Sequence, residues 1–251
     1  MVSRFHSKKM SRSFEEIDHC ETPLGELTLR RRRIPLLDDE EVFEVILNEE
    51  FLMSSLFHVA EEELSRLGLA ACPGLERDVV VGGLGLGYTA RAALEIPDVR
   101  SVMVVDALAE VIGWHQTGKV PLGAALTADP RCRMVHADFF ERVASAGLDP
   151  DDPGRRFHAI LLDIDHTPRH LLHPKNAAFY GEAGLRRLAH HLHPGGVFAM
   201  WADGPPDADF LATLGIVFIE PRAEVVTFSN PIQNSESSST VYVARRNEPQ
   251  G

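Results

Sequence analysis

From Asp78 onward, short apolar runs of strand length alternate with segments whose apolar positions recur at helical spacing. The runs DVVVGG, SVMVVD, CRMVHA, FHAILLDID, GVFAMWA, IVFIE and TVYVARR predict strands. The segments YTARAALE, LAEVIGWHQ, DFFERVASAG, AAFYGEAGLRRLAHHL and DADFLATLG predict helices. Such alternation predicts a Rossmann-like, doubly wound, mostly parallel sheet with helices on both faces. A near-continuous apolar run such as AILLDI fits a strand covered on both sides. SNPIQNSESSST is polar and Ser-rich and predicts a mobile loop before the last strand.

The first part of the chain has a different pattern. EIDHCETPLGELTLRRR reads as a hairpin around Thr22, Pro23, Leu24 and Gly25, since Pro and Gly supply turn dihedrals. VFEVILNEEFLMSS reads as a second hairpin around Asn48 and Glu49. The arginines from Arg30 to Arg33 are expected at the solvated end of a strand, with a nucleic-acid patch as the less favoured alternative. LFHVAEEELSRLGLA carries Leu56, Val59, Ala60, Leu64 and Leu67 at helical spacing. The expected division is a disordered tail over 1–12, a small β-hairpin unit over 13–55, a linker helix over 56–77 and the α/β domain over 78–251.

Composition narrows the function classes. Hydrophobic residues make up 44% of the 251, ample for a core. No apolar run approaches the roughly 20 residues of a membrane span, and the basic N-terminus lacks the apolar stretch of a secretory signal. Three cysteines, Cys20, Cys72 and Cys132, are odd in number and far apart, so neither a disulfide framework nor zinc is expected, and a reducing cytoplasm is. A formal charge of −12 argues against a nucleic-acid partner and leans toward a neutral or cationic small molecule.

The candidate chemistry lies at the carboxyl ends of the predicted strands. Gly83, Gly85 and Gly87 form G-x-G-x-G between a strand and a helix, with Gly82 a fourth glycine. Without Cβ atoms such a loop lets a ligand lie against the backbone, although a tight turn alone would also use glycines. The spacing departs from the dinucleotide fingerprint G-x-G-x-x-G. Asp106 closes the next strand, where an acid accepts ribose hydroxyls. Asp138 follows the third strand, where an acid meets an adenine amino group, and Asp163 ends the fourth. Each alone could cap a helix; three after a glycine loop point to a ligand.

This pattern resembles a class I S-adenosylmethionine (SAM)-dependent methyltransferase fold with a small N-terminal β unit. More narrowly, it resembles the spermidine synthase family and the spermidine-synthase-like proteins of bacteria. The resemblance runs from about Phe14 to Arg246 through the glycine loop, DPRCRMVHAD, AILLDID and FYGEAGLRRLAHHLHPGGVFAMW. It implies SAM or decarboxylated SAM as cofactor, bound by Gly83, Gly85, Gly87, Asp106 and Asp138. It also implies a small-molecule acceptor, an amine among the candidates, and a cytoplasmic homodimer.

Two departures matter. Spermidine synthases carry an acid in the glycine loop that holds the ammonium of decarboxylated SAM, and here Gly85 stands in its place. A carboxylate about 4 Å from the carboxylate of intact SAM would cost up to about 4 kcal/mol at an effective dielectric near 20, so Gly85 favours intact SAM. In place of the family's D-x-x-D-P the chain has DIDHTP: Asp163 matches the acid that activates the attacking amine, and His166 or Asp165 stands near the second, substrate-binding acid. The expected catalytic residues are Asp163, with His166 as the alternative base, and the expected acceptor residues are Asp165 and Tyr180. Trp201 and Tyr180 are each expected to pack in the core or to shape the acceptor pocket. His166, His170 and His173 are read as a solvated lid, with no metal expected. The leading expectation is methyl transfer from SAM to a small molecule. Aminopropyl transfer from decarboxylated SAM, as in a polyamine aminopropyltransferase, is the close alternative, and a non-catalytic scaffold is the third.

Overall fold

A computed structural model describes residues 14–145 and 147–247. The tail expected over 1–12 lies outside the described residues. The chain divides into two compact units, one up to Leu56 and one from Phe57.

The first unit is a four-stranded antiparallel sheet, β1 (Phe14–Thr22), β2 (Gly25–Ile34), β3 (Glu40–Leu47) and β4 (Glu50–Ser54), paired in chain order. Asn48 and Glu49 both adopt positive φ, 50° and 66°, as a two-residue turn matching strand twist requires. The arginine run lies in the last part of β2, where its side chains are partly exposed. Arg30 and Arg32 share a face and grip the buried Glu44 from either side, at 2.6 and 2.7 Å. Arg31 and Arg33 pair with Glu41. Each arginine of the run thus has an acid partner within the sheet.

The second unit is an α/β sandwich. Its strands are β5 (Arg77–Gly82), β6 (Val99–Asp106), β7 (Cys132–His136), β8 (Phe157–Leu162), β9 (Leu192–Asp203), β10 (Ile219–Asn230) and β11 (Ser235–Arg245). Its helices are α1 (Val59–Ala70), α2 (Tyr88–Leu94), α3 (Ala109–Gln116), α4 (Gly123–Ala128), α5 (Phe139–Ala144), α6 (Glu182–His190) and α7 (Ala208–Val217). The sheet order is β10-β11-β9-β8-β5-β6-β7, parallel from β9 to β7 and antiparallel at β11 and β10. This is the doubly wound architecture that the alternation predicts. Alternate strand residues such as Val80, Val105, Ile160, Leu162 and Met200 pack with Phe139, Leu185 and Phe210 of α5, α6 and α7. The other face is covered by α1, tightly enough that a Cβ on Gly68 would reach Leu161 and Ala199.

Two readings change. The Ser-rich stretch is no loop: Ser235 to Ser239 form the start of β11, paired with Asn230 to Val226 of a long β10. IVFIE contributes the end of α7 and only the start of that strand. Both strands lie at the antiparallel edge, where polar residues on a wetted face satisfy pairing without an apolar signature.

Candidate active site

Strand order reverses between β5 and β8, so the loops after these two strands diverge and leave a crevice at their carboxyl ends. The glycine loop follows β5 and Asp163 follows β8. Asp163 N–H donates to the Gly82 carbonyl at 2.8 Å, extending the ladder one residue beyond the strands. Gly83 has φ +95°, and a Cβ there would lie 2.0 Å from the Asp163 carbonyl oxygen. Gly87, also at +95°, would press a Cβ onto Leu126 and His115. The loop is therefore packed from below, and its glycines are required by their conformation and by close approach.

Asp106, at the end of β6, holds the loop from the side. Its two oxygens accept from Leu84 N–H and Leu108 N–H, each at 2.8 Å. Burial pushes its carboxyl above the usual range, against the pull of backbone N–H groups of Leu108, Leu84 and Gly85 and of His136. Part of its surface stays open. The fully buried His115 supports the loop from behind: its Nε2 lies 2.9 Å from the Gly85 carbonyl oxygen, and burial lowers its pKa.

Asp163 is brought against a second acid that the sequence reading missed. Thr89 Oγ1, on α2, donates to Asp163 Oδ2 at 2.6 Å. Glu61, on α1, is only 8% exposed, and its backbone carbonyl accepts from the same Thr89 Oγ1 at 3.3 Å. Burial and the neighbouring Asp163 carboxyl push Glu61 well above the usual carboxylate range. Burial pushes Asp163 up to about 6, with the Thr89 hydroxyl pulling the other way. The helical period held the signal. Glu61 shares a stripe with Leu64, Ser65 and Gly68, all buried, whereas Glu63, the third glutamate of the run, pairs with Arg66 outside. At the entrance to α1 the His58 ring stacks on Tyr88, with centroids 4.2 Å apart and planes at 8°.

The remaining expected residues lie around this centre. Asp165 and Tyr180 are brought together, but as a buried clasp. Asp165 accepts from Tyr180 OH at 2.7 Å, Leu172 N–H at 2.7 Å and Asn176 Nδ2 at 3.0 Å, and is 3% exposed. It anchors the segment after β8 instead of presenting a free carboxylate. The His166 ring lies 4.8 Å from that of His170, tilted by 32°, and the His166 carbonyl accepts from Asp203 N–H. His173 caps the short 3-10 turn Pro174–Phe179 by accepting from Lys175 N–H. Asp138 caps α5, accepting from Glu141 N–H at 3.0 Å, and its other oxygen meets Lys175 Nζ at 2.7 Å. Trp201 follows Met200, the partner of Leu162 in the β8–β9 register, so it is carried on the strand beside Asp163. Among the described residues, no three His, Cys, Asp or Glu side chains gather as a metal set, and no helix is long and apolar enough to cross a membrane.

The fold is that of the class I SAM-dependent methyltransferase architecture. No protein-family model matches the chain. In sequence it is 31% identical over 144 residues to a polyamine aminopropyltransferase of Prochlorococcus marinus (strain MIT 9313), an alignment covering 57% of this chain and 46% of that protein. The chain thus matches just under half the length of this curated relative. In structure it is similar to the spermidine synthase of Thermotoga maritima, with a TM-score of 0.69 and 18% identity over 92% of this chain and 72% of that one. It is similar to the same extent, TM-score 0.67 and 17% identity over 92% and 72%, to a spermidine synthase in complex with the transition-state analogue AdoDATO. The resemblance to spermidine synthases therefore appears both in sequence and in fold. The three similar proteins are named as a polyamine aminopropyltransferase and spermidine synthases, and none of the three as a methyltransferase.

Proposed function

We propose that the chain is a transferase that moves an aminopropyl group from decarboxylated SAM to a small amine. The observation that carries this reading is the pair of acids beside the glycine loop, the buried Glu61 and the half-buried Asp163, both bonded to Thr89. Burial raises both carboxyls above the usual range, and for Glu61 the neighbouring Asp163 adds to it. A primary amine or ammonium is the chemistry that relieves such a pair. The named activities of the similar proteins support the same choice.

The residues fit an adenosyl donor. The glycine loop offers backbone with no Cβ at Gly83, Gly85 and Gly87, and Asp106 keeps lone pairs for ribose hydroxyls in addition to the two N–H groups it accepts. Asp138 would accept from an adenine amino group in addition to Lys175 Nζ and the Glu141 N–H. Bound there, the sulfonium supplies an electrophilic carbon and a thioether leaving group. Asp163 would orient the attacking amine and take its proton. A carboxyl at about 6 is mostly ionised at neutral pH yet basic enough for that task. Thr89 fixes Oδ2, so Oδ1 is the oxygen left for the amine. Glu61 would give up its proton when a cation arrives, supplying from α1 the negative charge that Gly85 does not. Asp165 and Tyr180 would act by holding the segment over the site, not by gripping the acceptor.

Gly85 favours a second reading, methyl transfer from intact SAM, because the loop lacks the acid that would repel a carboxylate. Calorimetric titration separates the two. Decarboxylated SAM should bind at least about tenfold more tightly than SAM, about 1.4 kcal/mol, because the carboxylate of SAM would meet the acid pair. The reverse ranking overturns aminopropyl transfer in favour of methyl transfer.

A further inference from the structure

At the opposite edge of the sheet, where β8 and β9 begin, a cavity of about 450 Å³ opens between the end of α5, the loop leading into β8 and the last turn of α6. Its volume lies within the usual range of small-molecule sites, roughly 300–1,000 Å³. Apolar walls come from Val143 and Pro153, and the polar lining is Arg155, Arg156, Arg187 and His190, with no carboxylate among the lining residues. The six residues of β8 put about 20 Å between this cavity and the glycine loop, so it is separate from the site described above.

The charges here are not balanced as they are elsewhere in the chain. Arg155 is engaged, reaching Asp78 and Asp149, each at 3.1 Å. Asp149 and Asp151, in the adjoining loop, are held by Arg133. Arg186 pairs with Glu182 at 2.7 Å. Arg156 and Arg187, both exposed, have no acid partner among the described residues. Neighbouring groups feel the surplus. Arg246 is held below its usual pKa by burial and then by Arg156, and His191 by burial and then by His190 and Arg142. A cluster of uncompensated guanidinium groups in a concavity, on a chain of formal charge −12, is a local arrangement that its own neighbours oppose and a bound anion would relieve.

We infer that this cavity binds a small, multiply charged phosphate-bearing anion through Arg156 and Arg187. Guanidinium forks match phosphate oxygens in pairs, and the two arginines come from different elements, the loop into β8 and α6. An anion spanning adjacent phosphates would bridge them. That chemistry is common to inorganic pyrophosphate and to nucleoside diphosphates.

The test is calorimetric titration of the full chain with pyrophosphate and, in a second arm, ADP. Wild type, the double variant Arg156→Ala/Arg187→Ala and Asp106→Ala would be compared. Both arginines are exposed, so the double variant should keep its fold, checked by circular dichroism. Pyrophosphate should bind wild type and Asp106→Ala equally, and the double variant at least about tenfold more weakly, about 1.4 kcal/mol. In Asp106→Ala, ADP tighter than pyrophosphate assigns a nucleoside diphosphate, and equal affinity an inorganic one. Equal binding of pyrophosphate to wild type and the double variant, or no binding to wild type, overturns the inference. Loss of pyrophosphate binding in Asp106→Ala also overturns it, by moving the anion to the glycine loop.

Discussion

Thr89 Oγ1 donates to Asp163 Oδ2 at 2.6 Å, tying α2, which follows the glycine loop, to the end of β8. The bond is part-buried, with Thr89 only 3% exposed. Replacing Thr89 with Val keeps the shape and removes the donor. The carboxyl then loses the one interaction that pulls its pKa down. Thr89→Val should lower stability by about 1–3 kcal/mol, the usual cost of leaving a buried acceptor without its partner. It should also move the acidic limb of the pH–rate profile upward. Urea denaturation and a pH–rate series check the two effects. A profile that stays in place would show that Asp163 does not titrate in turnover.

The acid pair gives stability a pH dependence of definite sign. A carboxyl whose folded pKa is raised binds more protons folded than unfolded between its two pKa values, so stability falls as pH rises through that interval. For Asp163 the interval runs from 3.8 to about 6, and the raised Glu61 extends it upward. Glu61→Gln removes one acid and the repulsion it exerts. The variant should gain stability relative to wild type as pH rises from about 5 to 8, with urea midpoints as the measure. A constant difference across that range would show that the two carboxyls do not interact.

Glycine positions separate close approach from mere permissiveness. Gly83→Ala would place a Cβ 2.0 Å from the Asp163 carbonyl at φ +95°. It should cost more than about 3 kcal/mol or abolish folding. Gly113, inside α3 with nothing within 4 Å of its added Cβ, should gain about 0.5–1 kcal/mol on replacement by Ala, the helix-propensity difference. Thermal denaturation of the two variants side by side tests the contrast.

The Asp165 clasp makes a prediction about the segment over the site. Tyr180→Phe leaves Asp165 with bonds from Leu172 and Asn176 only. Stability should fall by about 1–2 kcal/mol, and the acceptor KM should change more than cofactor affinity. A change in cofactor affinity alone would place Asp165 and Tyr180 at the donor side instead.

The doubly wound sheet was legible because covered parallel strands carry continuous apolar runs, as in AILLDI. The glycine loop and the acids after each strand were legible because glycine and aspartate there answer to backbone geometry that sequence spacing preserves. Glu61 was harder to see, because three consecutive glutamates look like a solvated face until the helical period puts the first beside Ser65 and Gly68. Asp165 read as a substrate ligand, since its burial depends on Tyr180 and Asn176 folding back over it. The β10–β11 hairpin was missed because its serines satisfy the ladder through backbone groups that carry no sequence signature.

The most direct test of the acid pair's role is turnover of decarboxylated SAM with a panel of primary amines, followed by release of the thioether product. Wild type should form that product only when an amine is present, and Asp163→Asn should be slower by about 100-fold or more, the usual scale of general acid–base catalysis, with donor affinity retained. Equal rates for wild type and Asp163→Asn, or consumption of intact SAM but not of its decarboxylated form, would contradict it.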